Sequence, residues 1–492
     1  MQLQPKKLLL NTKQPFGLWF LLLASLLFSM GTTAITVHFS AYLHSIANPS
    51  QEGITPQILS INFNLYTNLF LYSASGFIGG FLGYSIGYRR SVIIGILYGF
   101  VSLILLSLNN LSLIGFSGYI IAIGLVIPNL FTTLSFLYTQ DDPRRHAGFT
   151  LMYMTTVCGA ALSLTISSTF ASNLSYQTWF ILMALTSLIG VLIFLAGGIY
   201  LNRNISVIDG IEPKYTPSTY SVIFILVVLS ALVNFLLQRL LILKIVIVVL
   251  AVIAISIMLI YAYLEKDTNQ RKRNYVLLIL LALSIFFWFA DKNITTIFLH
   301  YLQLFSHNYG FFNIKNPSAD FFFEANIGLV LVIGFVSAIL WNKNKHTQHM
   351  KRLIRLFSLA ILLTSIACAL LFFSFLSQSM HQFVTTGNYL LTLTLMLNSI
   401  AKILLLPLYY AIVGKLSPRK YEAIVMGFFF IISAAIGVAA LSFNKMTLMP
   451  TDLIRTYQSL SCLYGILSIL GTLFAISAYM LAKFIYYSKK NG

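Results

Sequence analysis

YSVIFILVVLSALVNFLLQRLLILKIVIVVLAVIAISIMLIYAYL, residues 220–264, is almost unbroken Leu, Ile and Val, interrupted only near Arg239. A membrane-crossing helix needs about 20 mostly apolar residues, so the stretch reads as two such helices joined by a short turn. It is flanked by the most polar long break in the first half, Leu201 to Tyr220, and by a second break from Glu265 to Asn274. Read outward by the same rule, the chain gives six segments before the hairpin, near 16–43, 65–87, 91–109, 112–138, 147–172 and 178–201. Six more follow it, near 275–303, 321–341, 353–378, 387–413, 421–442 and 458–484. The expectation is an all-α polytopic membrane protein of fourteen helices. Its parts are a six-helix bundle at 1–201, a linker with a two-helix insert at 202–274 and a second six-helix bundle at 275–492.

Composition agrees with that reading. Of 492 residues 58% are hydrophobic and 9% charged, against about 25% charged in ordinary soluble domains. This argues against a soluble enzyme, a disordered chain and a nucleic-acid binder. The net charge of +19 comes from 31 Lys and Arg against 12 Asp and Glu. If the N-terminus is cytoplasmic, 24 of the 31 fall in segments on the inner side, 5 on the outer side, and Lys402 and Lys292 within helices. Cytoplasmic loops hold an excess of Lys and Arg, so both termini are expected in the cytoplasm. The excess charge is then topology together with attraction to anionic membrane lipid, with no nucleic acid required. Lys6, Lys7 and Lys13 lead into about 28 mostly apolar residues, longer than a secretory signal's apolar region, which reads as a retained first helix. Cys158, Cys368 and Cys462 all lie in apolar runs and give no disulfide framework. His346 and His349 stand three apart in a basic loop, too few for a metal site.

Three passages carry a resemblance. GGFLGYSIGYRR at 79–90 is similar to the loop between the second and third helices of the major facilitator superfamily. PNLFTTLSFLYTQDDPRRHAGFTLMYMTTVCGAAL at 128–162 resembles the fourth and fifth helices of one family within it, the proton-coupled oligopeptide transporters (POT/PTR2). LPLYYAIVGKLSPRKYEAIVMGFFF at 406–430 resembles that family's join between helices 10 and 11. The resemblance implies a major facilitator fold in the bacterial cytoplasmic (inner) membrane, a small solute as substrate and protons as the coupling ion. A two-helix insert is also what bacterial members carry. A monomer without cofactor is expected.

The departures are as informative. The family's first-helix cluster Glu-x-x-Glu-Arg, tied to proton coupling, falls at Ser25, Phe28 and Ser29, with Thr33 and Thr36 where an aromatic and a second arginine usually stand. A lysine of the fourth helix falls at Ile127 and an asparagine of the fifth at Val157, while the glutamate that resembles the receiver of a peptide's amino terminus falls at Lys402, before Pro407. An ionised group in the bilayer costs several kcal/mol unless paired or hydrated, so losing one member of a charge network favours losing the others.

What charge remains inside the membrane is functional by default: Asp291 and Lys292 in FFWFADKNITTIF, Lys402 in NSIAKILLLP, and Glu324 at the edge. Asp291 matches an acidic gate residue of the family's seventh helix. Its arginine partner is missing, so Lys402 is the first replacement and Lys292 the second. Such a pair either staples two helices or opens during transport. Lys402 presents an ammonium where the family presents a carboxylate, so complementarity favours an acidic group on the ligand. Asn326 matches an eighth-helix asparagine that resembles a peptide-backbone contact, with an interhelical hydrogen bond as the alternative. Tyr153 survives at a family aromatic position, or simply packs. His38 lies deep enough to consider as a proton shuttle but faces away from Ser29 and Thr36 by helical angle. The sites expected are therefore Lys402, Asn326, Tyr153, Thr33 and Thr36 for substrate, and Asp291, Lys292 and Glu324 for coupling or gating. The function expected is secondary active transport of a peptide, amino acid or related organic acid by alternating access with protons. The alternative is a transporter-like ligand sensor or an uncoupled facilitator for an anionic solute. No nucleophile motif, acid pair or metal set supports an enzyme.

Overall fold

Among the described residues are fourteen long helices: α1 (Gly17–Ile46), α2 (Leu65–Ile86), α3 (Tyr88–Ser107), α4 (Ser112–Phe136), α5 (Arg145–Phe170), α6 (Tyr176–Ala196), α7 (Thr219–Leu237), α8 (Leu240–Leu264), α9 (Thr268–Phe305), α10 (Ala319–Lys343), α11 (Met350–Ser379), α12 (Val384–Leu416), α13 (Glu422–Thr447) and α14 (Leu453–Lys490). The computed structural model describes residues 14–46, 65–139, 142, 144–170, 174–205, 218–305, 310–311, 314–315, 319–343, 350–379, 384–447 and 453–490. Among the described residues twelve helices are long and apolar enough to cross a membrane; α2 and α10, at 22 and 25 residues, complete the set.

Successive helices run in opposite directions. The start of α1, the ends of α2, α4, α6, α8, α10, α12 and α14, and the short turns between them therefore gather at one end of the bundle. Arg89, Arg90, Arg144, Arg271, Arg352 and Lys420 sit there, and we call it the basic end. The α2–α3 turn is a single residue, Gly87, whose φ of 99° lies in the left-handed region that favours glycine. Two details depart from the reading by apolar runs. The run at 178–201 breaks at Gly197, where a Cβ would meet the Phe20 ring, and a separate short helix follows over Gly198–Ile205. Between α9 and α10, Gly310–Phe311 pairs antiparallel with Ile314–Lys315, a two-residue hairpin in an otherwise helical chain.

One group of helices is α1–α6, in which α1 packs on α5 and α6, α3 on α4 and α6, and α2 on α4. The other is α9–α14, in which α11 packs on α12 and α14. The two groups meet where α2 lies on α13 and α5 lies on α10 and α12. Lipid tails give no hydrophobic drive for helices to associate, so close approach through small residues has to supply the packing. At the α2–α13 seam a Cβ on Gly76 would sit 2.8 Å from Phe430 Cβ, and one on Gly427 2.8 Å from the Gly76 carbonyl oxygen.

The insert straddles both groups. On α7, Val222 and Leu226 are buried against Ile121 and Leu125 of α4, and Ser230 shares a 2.8 Å hydrogen bond with Tyr98 of α3. On α8, Leu243, Ile247, Ala251, Ala254, Met258 and Ala262 recur every three or four residues as one buried stripe, and this helix packs on α13 and α9. The other faces of α7 and α8 are exposed apolar side chains such as Phe224, Leu241 and Ile260, as lipid contact requires.

Candidate functional site

Asp291 is the charge around which the site is built. It lies on α9, and its side chain is 5% exposed. Its Oδ1 accepts from Lys402 Nζ at 2.8 Å and from Asn398 Nδ2 at 2.7 Å. Lys402 and Asn398 are four residues apart on α12 and therefore share one helix face. Both donors thus reach the same carboxylate oxygen. Lys402, at 20% exposure, keeps contact with open space that Asp291 lacks. Lys292, the next residue on α9, points elsewhere. It is half-buried, with its ammonium 5.8 Å from the ring centroid of Trp288 one turn back.

Tyr153 of α5 brings the first group of helices to the same place. It is half-buried against Val330 of α10 and Ile403 of α12, beside Val157. Thr33 and Thr36 stand on α1, half-buried, with their hydroxyls donating back to their own helix, to Ser29 O at 3.1 Å and Thr32 O at 2.7 Å. Glu324 and Asn326 fall within the span of α10, but their side chains lie outside the described residues. His38 sits between α1 and α6, its ring centroid 6.2 Å from Tyr176 and 6.3 Å from Trp179. His346 and His349 also lie outside the described residues, among which no three His, Cys, Asp or Glu are grouped as a metal would need.

Sequence reasoning missed two things. One is Asn398, whose signal was its spacing of four from Lys402. The other is a seam at the basic end. There Arg145 of α5 faces Glu422 of α13 at 3.9 Å, both almost fully buried, and Arg145 donates to Ser135 Oγ at 2.6 Å. Tyr88 Oη donates to the Lys420 carbonyl at 2.9 Å, Phe131 stacks on Tyr410 at 4.1 Å between centroids, and His146 packs on Trp341 at 4.1 Å. Apart from Arg145–Ser135, which lies within the first group, each contact joins the two groups of helices, so this end of the bundle is shut. The Arg145–Glu422 pair is long for a direct hydrogen bond, and burying two charges so loosely coupled returns little of their desolvation cost. It closes the seam without locking it. Both residues stand inside the passages at 128–162 and 406–430, where Arg145 reads as one more loop cation.

A family profile, PTR2: POT family, matches residues 91–460. The chain belongs to the POT family. Membership makes it a multi-pass membrane transporter, not an enzyme. This POT-family chain is 23% identical over 419 residues to dipeptide and tripeptide permease A of Pectobacterium carotovorum subsp. carotovorum (strain PC1), covering 82% of this chain and 79% of the relative. It is 24% identical over 442 residues to dipeptide and tripeptide permease B of Salmonella typhimurium (strain LT2), covering 86% of each. Among solved structures it is similar to a POT family transporter in complex with 5-aminolevulinic acid, with a TM-score of 0.67, 20% identity and coverage of 94% and 97%. It is also similar to a peptide transporter POT in complex with sulfate, with a TM-score of 0.63, 20% identity and coverage of 95% and 96%. These likenesses establish the major facilitator fold.

Proposed function

We propose that the chain carries a small solute bearing an acidic group, a short peptide, an amino acid or a related organic acid, across the inner membrane by alternating access coupled to protons. The observation that carries this reading is the Asp291–Lys402 pair with Asn398, which joins α9 to α12 inside the bundle. The empty site, with Asp291 ionised and Lys402 protonated, is neutral across the pair. Adding one proton to Asp291 and one carboxylate to Lys402 leaves it neutral again. Either addition alone leaves a net charge in a low-dielectric interior, where uncompensated charge is costly. The two ligands therefore favour each other's binding, and movement of the loaded or the empty site is favoured over movement of a half-loaded one. Lys292 adds a fixed positive charge that biases the site toward anions.

The acid-bearing 5-aminolevulinic acid and sulfate held by similar structures, and the dipeptide and tripeptide permeases among the relatives, support the substrate class. In this reading the basic end faces the cytoplasm, and Arg145–Glu422, Tyr88–Lys420 and the α2–α13 seam separate when the site opens inward. On the same reading Tyr153, Thr33 and Thr36 contact the solute from the α1–α6 side, Asn326 is a further substrate contact and Glu324 takes part in coupling or gating. A thermal-shift screen of the purified protein against di- and tripeptides, amino acids and small organic acids identifies the class by which ligand stabilises it. Lys402→Gln is expected to weaken that ligand at least about tenfold, the loss of one charge-assisted contact of roughly 1.5–3 kcal/mol. Lys402→Glu gaining affinity for acidic solutes would contradict the proposal. A second reading, uncoupled facilitation, draws on Ser25, Phe28 and Ser29, which leave α1 without the ionisable cluster of the family. It predicts equilibration of solute without accumulation under a pH gradient.

A further inference from the structure

Away from the site, a cavity of about 340 Å³ opens at the basic end between the insert and the second group of helices. Its walls include Phe81 of α2, Met258 and Tyr261 of α8, Leu277 of α9, Tyr421 just before α13 and Phe428 within it. It is almost wholly apolar and in the size range of small-molecule sites. Phe81 and Tyr261 are each 38% exposed, so it opens on the lipid-facing side.

Of the polar side chains in this wall, among them Ser417, one has a buried polar atom without a partner. Asn274 of α9 is 6% exposed and lines the cavity, and its Nδ2 has no hydrogen-bond partner. Its orientation is fixed from the other side, because Gln270 Nε2 donates to Asn274 Oδ1 at 2.9 Å and to the Leu416 carbonyl at 2.9 Å. A buried donor left unsatisfied costs about 1–3 kcal/mol, and an acceptor entering the cavity would recover it. Two cations stand beside lining residues. The Lys420 ammonium stands 5.7 Å from the Tyr421 ring centroid, and exposed Arg271 lies three residues before Asn274 on the same helix face. An apolar chamber, one buried donor at its wall and two cations beside its lining together match one chemistry: an acyl chain, a carbonyl ester and a phosphate.

We propose that this cavity binds an anionic phospholipid, with an acyl chain between α8 and α13, an ester carbonyl on Asn274 Nδ2 and the headgroup phosphate beside Lys420 and Arg271. The occupant bridges the insert to Tyr421, the residue directly before Glu422 of the basic-end seam. The insert thereby holds a lipid against the helix that closes that end. The binding stands whether or not the solute reading does.

Full-length protein in phosphatidylcholine vesicles, doped with a phosphatidylglycerol or a phosphatidylcholine carrying a photoreactive diazirine on its acyl chain, tests the site by irradiation and peptide mapping. Adducts on the peptides holding Met258–Tyr261 and Tyr421–Phe428 are expected to favour the phosphatidylglycerol probe by roughly fivefold, the factor for about 1 kcal/mol per cation near an anionic headgroup. Leu277→Trp, which fills the chamber, is expected to remove those adducts while labelling of the lipid-facing side of α7 is unchanged, which also reports that the variant is folded. Asn274→Leu is expected to lower phosphatidylglycerol labelling while leaving the chamber open. Equal labelling by both probes, meaning an unselective bilayer chain, or adducts indifferent to both substitutions would overturn the proposal.

Discussion

At the scale of single residues, the two ends of the central ion pair are not equivalent. Asp291 is 5% exposed and Lys402 20%, so removing the lysine strands a carboxylate in a drier place than removing the aspartate strands the ammonium. Removing one partner of a buried pair typically costs about 3–5 kcal/mol. Asn398 still donates to Asp291 in Lys402→Gln, yet one neutral amide does not replace an ammonium. We expect Lys402→Gln to lower thermal stability more than Asp291→Asn, and the double variant to be more stable than Lys402→Gln alone. Thermal unfolding of the four proteins in one detergent checks this, and additive losses would mean that the two side chains do not interact. The pairing of α9 with α12 was legible because so few charges stand inside the membrane: once the first-helix arginine is missing, Asp291 has Lys402 and Lys292 as its candidate partners. The geometry decides between them, since neighbours on a helix point about 100° apart and Lys292 turns toward Trp288. Asn398 carried only a weak signal, its spacing of four from Lys402, which puts it on the same helix face but does not show that it pairs.

At the scale of elements, the seam between α2 and α13 depends on what glycine lacks. A Cβ on Gly80 would lie 2.5 Å from the Ala423 carbonyl oxygen, with no flexible atom available to yield. Gly80→Leu is therefore expected to push α2 and α13 apart and hold the basic end open. Spin labels at exposed Arg90 on α3 and Arg352 on α11, in a background without the native cysteines, should report a longer distance in this variant. An unchanged distance would mean that the seam tolerates the side chain. Glu422→Gln acts on the same seam more gently. It leaves Arg145 buried without its counter-charge, so the same label pair is expected to shift toward longer distances. Most helix ends were legible to within a few residues because each helix is a long apolar run between polar breaks, whereas α9 begins at Thr268, in the polar stretch before its expected start at 275, and α14 runs on to Lys490, past its expected end at 484. Which face of each packs inward was not. In α8 the buried stripe from Leu243 to Ala262 is as apolar as its lipid-facing side, so hydrophobic periodicity, the usual signal for facing, is erased. The docking of α7 on one group of helices and α8 on the other is for that reason a finding of the structure alone.

At the scale of the molecule, the basic residues lie mainly at one end, the central charges are nearly neutralised, and the described contacts shut the basic end while the Asp291 site stands deeper in the bundle. That arrangement matches one half of an alternating cycle, with the site shielded from the basic side. The family resemblance, carried by the passages at 79–90, 128–162 and 406–430, made the fold legible. It made the site legible only in outline, because five of the family's charged positions are neutral here and a sixth is reversed in sign. The measurement that bears most directly on the account is uptake of the solute identified by thermal shift into proteoliposomes under an imposed inward pH gradient, wild type beside Asp291→Asn. The account predicts that the wild type concentrates the solute and loses this when the gradient is collapsed, while Asp291→Asn only equilibrates it. Concentrative uptake by Asp291→Asn that still follows the pH gradient would contradict it.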